Sequence, residues 1–254
     1  GVYFVEKGAS QRASKVTYDR KYSSISMATP DDFDWDKIFE NAKWFHFTGI
    51  TPALSDNAAE ICLEACKKAK KHGVTVSCDL NYRNKLWSTE KAGKVMTTLM
   101  EYVDVAIGNE EDCEKVFGIK SEGTNVTTGS LSKEGYTDVA KKLSDRFNIP
   151  TVAITLRSSL SASENKWSGM LYKGKKSYFS KEYLIHIVDR VGGGDSFGGG
   201  LIYALSENYE PQKAIEFAVA ASCLKHSIEH DFNEVTVDEV TKLMNGDGSG
   251  RVQR

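Results

Sequence analysis

Residues 44–80 read WFHFTGITPALSDNAAEICLEACKKAKKHGVTVSCDL, and the spacing of apolar residues changes within this stretch from strand to helix and back. The apolar run Trp44–Phe47 predicts a buried strand. Ser55 can cap a helix whose apolar and small residues follow at helical spacing, and Gly73 stands where a left-handed residue ends a helix. Val74–Cys78 predicts a second strand. The stretch is therefore typical of one strand–helix–strand unit.

The same alternation continues along the chain. It predicts strands at Val105–Gly108 and Thr151–Leu156, and helices near 90–102, 110–117 and 137–147. Strands that alternate with helices form right-handed crossovers, which build a mostly parallel sheet covered on both faces. The predicted fold class is therefore α/β, with a doubly wound, mostly parallel sheet.

The sequence on either side of this sheet has other patterns. Residues 1–27 alternate apolar and polar positions, which indicates half-exposed strands, and a short helix is predicted at 35–42. After the sheet the pattern predicts a hairpin of 169–172 with 177–180, then helices at 196–208, 211–227 and 237–245. We expect one domain, in which residues 1–28 form a small peripheral β lid segment and residues 29–254 form the α/β core. Because such a domain normally opens with a core strand, we also expect its N-terminal part to be missing from this chain.

Composition limits the classes of function. The chain has 254 residues, of which 40% are hydrophobic and 27% charged, and its formal net charge is -2. These values are typical of ordinary globular proteins, and the length allows a sizeable core. Basic residues do not cluster with aromatic ones as in a nucleic-acid-binding groove, and no apolar run could span a bilayer. Small-molecule partners are therefore expected, without nucleic acid or membrane.

The cysteines indicate a reducing environment. The sequence contains five of them, without a CxxC pair and mostly in apolar stretches. Cys62 and Cys66 share a predicted helix face and could together bind a metal, but no histidine stands at ligand spacing. Core packing is therefore the favoured interpretation, and a cytoplasmic location is expected.

Residues 187–203, IVDRVGGGDSFGGGLIY, lead from a short apolar segment through three glycines into a helix. The backbone N–H groups of Gly192, Gly193 and Gly194 can converge on an anion, and the helix start adds the positive end of its dipole. Asp195 would repel a phosphate but suits a base that accepts a proton from an attacking hydroxyl. The alternative is a flexible loop in which Asp195 only caps the helix.

Two other nucleotide-binding motifs fail. A Rossmann GxGxxG motif counted from Gly192 has Phe197 at its last glycine position, and it lies late in the chain. A Walker-type pattern at Gly169–Lys176 has Lys176 where serine or threonine must hold magnesium. Neither motif is therefore assigned.

Residues 189–205, DRVGGGDSFGGGLIYAL, resemble the second signature of the ribokinase (PfkB) family of carbohydrate kinases, with Gly193 in place of the usual alanine. Residues 44–54 (WFHFTGITPAL), 78–87 (CDLNYRNKLW) and 155–157 (TLR) look like the 2-keto-3-deoxygluconate kinase branch of this family. The resemblance covers essentially the whole chain. It implies a ribokinase-like fold and an ATP-dependent sugar kinase that phosphorylates the terminal hydroxyl of 2-keto-3-deoxygluconate.

The resemblance also implies roles for particular residues. Asp195 is the implied catalytic base, and the turn Gly192–Asp195, with Gly193 and Gly194, is the implied anion hole. The implied substrate contacts are Tyr3, Tyr18, Arg20, Gly49, Ile50, Arg83, Asp195 and Asp231. The implied ATP contacts are Thr155, Arg157, Gly192 and Gly194, with the helix that carries Ala218 to Lys225. Ahead of Asp231, Glu229 and His230 replace the proline and glycine usual in this branch.

Asn109-Glu-Glu-Asp112 resembles the magnesium-associated N-x-x-E motif of the family, with aspartate at its last position. It implies a water-mediated Mg²⁺ contact through Asn109 and Asp112. The alternative is an acidic first helical turn capped by Asn109. The implied cofactors are ATP and Mg²⁺.

Two other functions stay open. One is a PfkB kinase for another sugar such as fructose, which has no carboxylate for Arg20 and Arg83 to bind. The other is a truncated, non-catalytic homologue that only binds a sugar or nucleotide. The family also implies a homo-oligomer, because the β lid of one subunit often packs on another.

Overall fold

The computed structural model describes residues 1–121 and 132–248. These residues divide into two compact units. The first consists of Gly1–Val5, Tyr172–Lys176 and the described residues of Val16–Ile154. The second consists of Glu6–Lys15, Thr155–Leu171 and the described residues of Ser177–Arg254. The division into a β lid and a core at residue 28 stays a prediction.

The chain begins with two short strands, β1 (Val2–Glu6) and β2 (Lys15–Asp19), which pair in a two-stranded sheet. Two short helices follow, α1 (Ser24–Met27) and α2 (Trp35–Phe39). The prediction of β structure throughout residues 1–27 is wrong at α1. There the Ser26 hydroxyl donates to the Ser23 carbonyl, and this serine-rich segment closes a helical turn instead of pairing as a strand.

A parallel sheet begins in the first unit, which contains its first three strands and its fourth strand as far as Ile154. Its strands pair in the order β3 (Trp44–Thr48), β4 (Thr75–Asp79), β5 (Val105–Gly108) and β6 (Thr151–Ser159). The helices that connect them are α3 (Asp56–Lys71), α4 (Thr89–Met100), α5 (Glu110–Phe117) and α6 (Lys133–Phe147). Ser55 accepts a hydrogen bond from Ala58 N, and Gly73 has a φ of 70°. Both predicted ends of α3 are therefore confirmed.

The second unit contains most of β7 (Glu164–Lys173) and β8 (Lys176–Phe179), and all of β9 (Tyr183–His186). Strand β9 pairs antiparallel with β7. The strand order of the main sheet is β3-β4-β5-β6-β7-β8 in the described part of the chain. The sheet is mixed, because the strands from β3 to β6 pair in parallel and β9 pairs antiparallel with β7. The helices of this unit are α7 (Gly193–Ser206), α8 (Pro211–Lys225) and α9 (Val237–Met244).

Two elements differ from the sequence-based expectation. Strand β9 was not predicted, because the apolar Leu184 stands at an exposed position and hides the alternation of apolar and polar residues. Helix α7 begins at Gly193, whereas the sequence pattern predicted a start at Ser196. The prediction missed the first turn because glycine has a low helix propensity. This shift matters for the site, since it places Asp195 inside the helix.

The cysteines lie mostly in the core. Four of the five are buried and all are free. Burial raises the pKa of the Cys62 thiol to about 12. Among residues 1–121 and 132–248, no helix is long and apolar enough to cross a membrane. The same residues contain no cluster of three or more potential metal ligands.

Candidate active site

The start of helix α7 is built on Gly192. This residue is the N-cap and has a left-handed φ of 79°. A Cβ on Gly192 would lie 2.2 Å from the carbonyl oxygen of Asp231, which is closer than any real contact. Glycine is therefore required here both by the dihedral angle and by the approach of the Asp231 backbone.

Asp195 lies in the first turn of α7 and is exposed. Because the N-cap is Gly192, the alternative in which Asp195 caps the helix is wrong. Ser196 N donates to Gly192 O at 2.8 Å and closes the first turn. The preceding N–H groups, those of Gly194 and Asp195, have no acceptor within the helix, and a Cβ on Gly194 would meet nothing within 4 Å. An anion can therefore bind at this helix start, beside the carboxylate.

Gly193 is buried against a histidine. A Cβ on Gly193 would lie 2.6 Å from Cε1 of His226, so the ring fills the volume of the alanine methyl group usual in the family. Gly193 N donates to Arg190 O at 3.3 Å, and Ser222 Oγ donates to Gly193 O at 2.7 Å. Since the Gly193 N–H already has a partner, the Gly194 N–H is the better hydrogen-bond donor to an anion in the predicted anion hole.

A cleft of about 480 Å³ adjoins this turn within the second unit. Asp195 and Asp231 both line it, so the structure brings together the predicted base and one predicted substrate contact. The other walls come from α7, α8, α9 and the segment before α9, and include Tyr203, Phe217, Asn233 and Val240. Sequence reasoning missed these residues. Tyr203 stands eight positions after Asp195. Helical spacing could therefore have placed it on the same face of α7 as the aspartate, which is the face that lines the cleft.

The Asp189 carboxylate is buried beside the turn, with 5% of the residue exposed. It accepts hydrogen bonds from Val191 N at 3.1 Å and His230 N at 3.2 Å, and it pairs with Lys7 Nζ at 3.0 Å. Burial opposes its ionisation, but the Val191 hydrogen bond and the Lys7 ammonium hold the pKa of Asp189 below its usual value. Asp189 is thus an anionic anchor between the turn and the loop that carries Asp231.

Positive side chains gather ahead of the glycine turn. The predicted ATP contacts Thr155 and Arg157 lie on β6, and Arg157 is exposed. Burial and the nearby Arg157 guanidinium lower the pKa of Arg190, which donates to Ala162 O at 2.8 Å. These charges can complement a polyphosphate.

Three predicted substrate contacts lie together at β1 and β2 in the first unit. The rings of Tyr3 and Tyr18 have their centres 6.4 Å apart. The Arg20 guanidinium lies 4.3 Å from the centre of the Tyr18 ring, a cation–π distance. Stacking on Tyr18 orients Arg20 and leaves its N–H groups able to bind a carboxylate.

Three further predicted contacts lie at the carboxyl ends of β3 and β4. Gly49 N donates to Asp79 O at 2.8 Å, and a Cβ on Gly49 would lie 2.2 Å from Leu80 O. This close approach requires glycine and brings Gly49 and Ile50 beside the segment that carries Arg83. Arg83 itself is exposed. The carboxyl ends of parallel strands are where ligands bind in sheets of this kind.

Asn109 and Asp112 have clear structural roles. Asn109 Oδ1 accepts from Asp112 N at 2.7 Å and caps α5, as the alternative interpretation expected. Asp112 is nine-tenths buried, and its Oδ1 accepts from Tyr82 N at 3.1 Å. Burial raises the pKa of Asp112 to about 6. The cap occupies the Asn109 oxygen, so the pair fits direct Mg²⁺ ligation poorly, and the water-mediated contact stays a prediction.

The architecture and this turn define a ribokinase-like phosphotransferase. The sequence model of the pfkB family carbohydrate kinase matches residues 1–228, and the chain belongs to this family. It is therefore a sugar kinase of the PfkB family, as the resemblance implied.

Curated relatives carry related names. The 2-dehydro-3-deoxygalactonokinase of Haloferax volcanii is 30% identical over 250 residues, which cover 98% of this chain and 72% of that protein. The 2-dehydro-3-deoxygluconokinase of Thermoproteus tenax is 27% identical over 234 residues, or 91% of this chain and 63% of that protein.

Solved structures agree with the fold. The crystal structure of 2-dehydro-3-deoxygluconokinase from Thermotoga maritima is 53% identical, with a TM-score of 0.92, over 96% of this chain and 72% of that one. An E. coli protein solved with ATP and Mg²⁺ is 15% identical, with a TM-score of 0.70, and shares the fold.

Proposed function

We propose that this chain transfers the terminal phosphoryl group of ATP to the terminal hydroxyl of 2-keto-3-deoxygluconate. The observation that carries the proposal is the likeness to the Thermotoga maritima 2-dehydro-3-deoxygluconokinase, at 53% identity and a TM-score of 0.92. Substrate class is often retained at this level of likeness, but the same fold serves many reactions, so the site must support the assignment.

In the proposed reaction Asp195 is the general base. Its carboxylate accepts the proton of the attacking hydroxyl, whose oxygen bonds to the transferring phosphorus as the bond to ADP breaks. The exposed N–H of Gly194 and the dipole of α7 stabilise the phosphoryl oxygens. Mg²⁺ supplies further neutralisation of phosphate charge when it is bound with ATP. Catalysis is then mainly positioning and electrostatics.

The remaining predicted contacts divide between the two ligands. Asp231 shares the cleft with Asp195, which supports a substrate role for its carboxylate as a hydroxyl acceptor. Arg20 and Arg83 are the proposed partners of the sugar-acid carboxylate. Thr155, Arg157 and the glycine turn are the proposed ATP contacts.

A substrate panel tests the assignment. The purified chain is given ATP and Mg²⁺ with 2-keto-3-deoxygluconate, fructose or ribose, and ADP formation is measured. We expect turnover on the keto-deoxy acid and little on the neutral sugars. Comparable turnover on fructose would contradict the substrate class. A folded protein without turnover on any sugar would support the binding-only alternative.

A second candidate substrate follows from the Haloferax volcanii relative, which is named for 2-dehydro-3-deoxygalactonate. This acid differs from 2-keto-3-deoxygluconate only in the configuration of one hydroxyl group. Measuring kcat/KM for both acids in the same assay decides which one the cleft prefers. We expect a higher kcat/KM for 2-keto-3-deoxygluconate, and a higher value for 2-dehydro-3-deoxygalactonate would reverse the assignment.

A further inference from the structure

Lys225 is the last residue of α8, the helix that the family resemblance implies near ATP, and its side chain is fully buried. None of the steps proposed above uses its ammonium group. Its Nζ donates to Ile228 O at 3.0 Å and to His230 O at 2.7 Å. Burial lowers the pKa of Lys225, and the carboxylates of Asp189 and Asp231 oppose this shift. A buried ammonium is costly unless it is fully bonded, and a methionine would fill the same volume more cheaply. The buried positive charge of Lys225 therefore requires a structural reason.

The residue that receives one of these bonds is strained. His230 has a φ of 66°, in the left-handed region that costs a residue with a side chain roughly 1–2 kcal/mol. A glycine at this position would avoid this cost. Both backbone polar groups of His230 are held by buried charged side chains, since its N–H donates to Asp189 and its carbonyl accepts from Lys225.

The held residue leads directly into the site. Asp231 follows His230 and lines the cleft with Asp195. Its carbonyl oxygen packs closely against Gly192. A change in the φ of His230 would therefore move both the Asp231 carboxylate and the backbone surface on which the glycine turn packs.

We propose that Lys225 is a positioning residue whose ammonium group, together with Asp189, clamps His230 in the left-handed conformation and so places Asp231 and the glycine turn. Its effect on turnover rests on the proposed function. Its effect on the loop does not, because the clamp acts on the backbone whether or not a substrate is turned over.

The first test replaces the charge and keeps the shape. In Lys225→Met, amide hydrogen exchange of residues 226–233 is expected to accelerate at least tenfold, an effect of local opening. Turnover at saturating substrate is expected to fall about 10²-fold, the order that a small misplacement at a site can cost. The matched control is Lys213→Met, the same substitution at an exposed position of the same helix, which should change neither.

The second test removes the strain that the clamp opposes. Glycine at position 230 adopts the left-handed conformation without a steric cost, so His230→Gly should suppress much of the Lys225→Met defect. We expect the loss of turnover between His230→Gly and the double variant to be within about tenfold, against about 10²-fold between wild type and Lys225→Met.

The outcomes separate the two proposals. Equal losses in both backgrounds, with exchange no faster in the loop than elsewhere, would show that Lys225 supports only global stability. If Lys225→Met does not fold, a double variant that also fails to fold overturns the clamp, and one that folds supports it. If the wild type transfers no phosphate, the proposed function fails while the exchange data still decide the role of Lys225.

Discussion

At the scale of single residues, two glycines of the turn look alike in the sequence and differ in the structure. Gly192 needs its left-handed φ and its contact with Asp231, whereas Gly194 is helical and has open space around it. We predict that Gly192→Ala lowers the free energy of unfolding by about 2 kcal/mol or more, from strain and collision together. Gly194→Ala should leave it unchanged or raise it by up to about 1 kcal/mol. Urea denaturation of both variants measures the difference, and equal losses would contradict this account.

Asp112 gives a pH-dependent prediction. Burial raises its pKa from 3.8 to about 6, so the folded state binds this proton more tightly than the unfolded state. The contribution of Asp112 to stability is therefore fully present below pH 3.8 and is lost as the pH rises through about 6. Relative to wild type, Asp112→Asn should gain up to about 3 kcal/mol in unfolding free energy between pH 4 and pH 7.5. A constant difference across this range would show that the carboxyl is not perturbed.

At the scale of elements, α5 and α6 have similar N-caps. Asn109 accepts from Asp112 N, and Ser132 accepts from Gly135 N. Replacing either with alanine should cost about 1 kcal/mol of unfolding free energy. If Asn109 also supports the bound metal, Asn109→Ala should lower turnover at limiting Mg²⁺ much more than Ser132→Ala does. Equal turnover in the two variants would restrict Asn109 to capping.

The same elements show what a sequence reveals. The ends of α3 and α5 were predictable because a capping side chain coincides with a clear helical period at Ser55 and Asn109. The first turn of α7 was not, because it consists of glycines that only tertiary packing holds in a helix. In the candidate site, the glycine turn and Asp195 were predicted from local pattern, but the contacts of Gly193 with His226 and of Lys225 with His230 were not. Such contacts are set by packing and leave no local period.

At the scale of the whole molecule, the chain spans 72% of its Haloferax volcanii relative and 72% of the Thermotoga maritima structure. The homo-oligomer implied by the family stays a prediction. Exposed apolar side chains on β1 and α1, among them Phe4 and Met27, give it a testable form. Light scattering should show that Phe4→Ser weakens association, whereas Leu184→Ser, at an exposed position of β9, does not. Equal masses for wild type and both variants at all concentrations would remove this surface from assembly.

The role of Asp195 as the base of this sugar kinase can be tested with a single substitution, Asp195→Asn. The substitution keeps the size of the side chain and removes the proton acceptor. With 2-keto-3-deoxygluconate and MgATP, kcat should fall about 10²–10⁴-fold, the range of general-base contributions. Nucleotide affinity, measured by calorimetry on the same preparation, should stay within a few-fold of wild type, because the amide groups of the turn are unchanged. Near-normal kcat in Asp195→Asn would contradict this role.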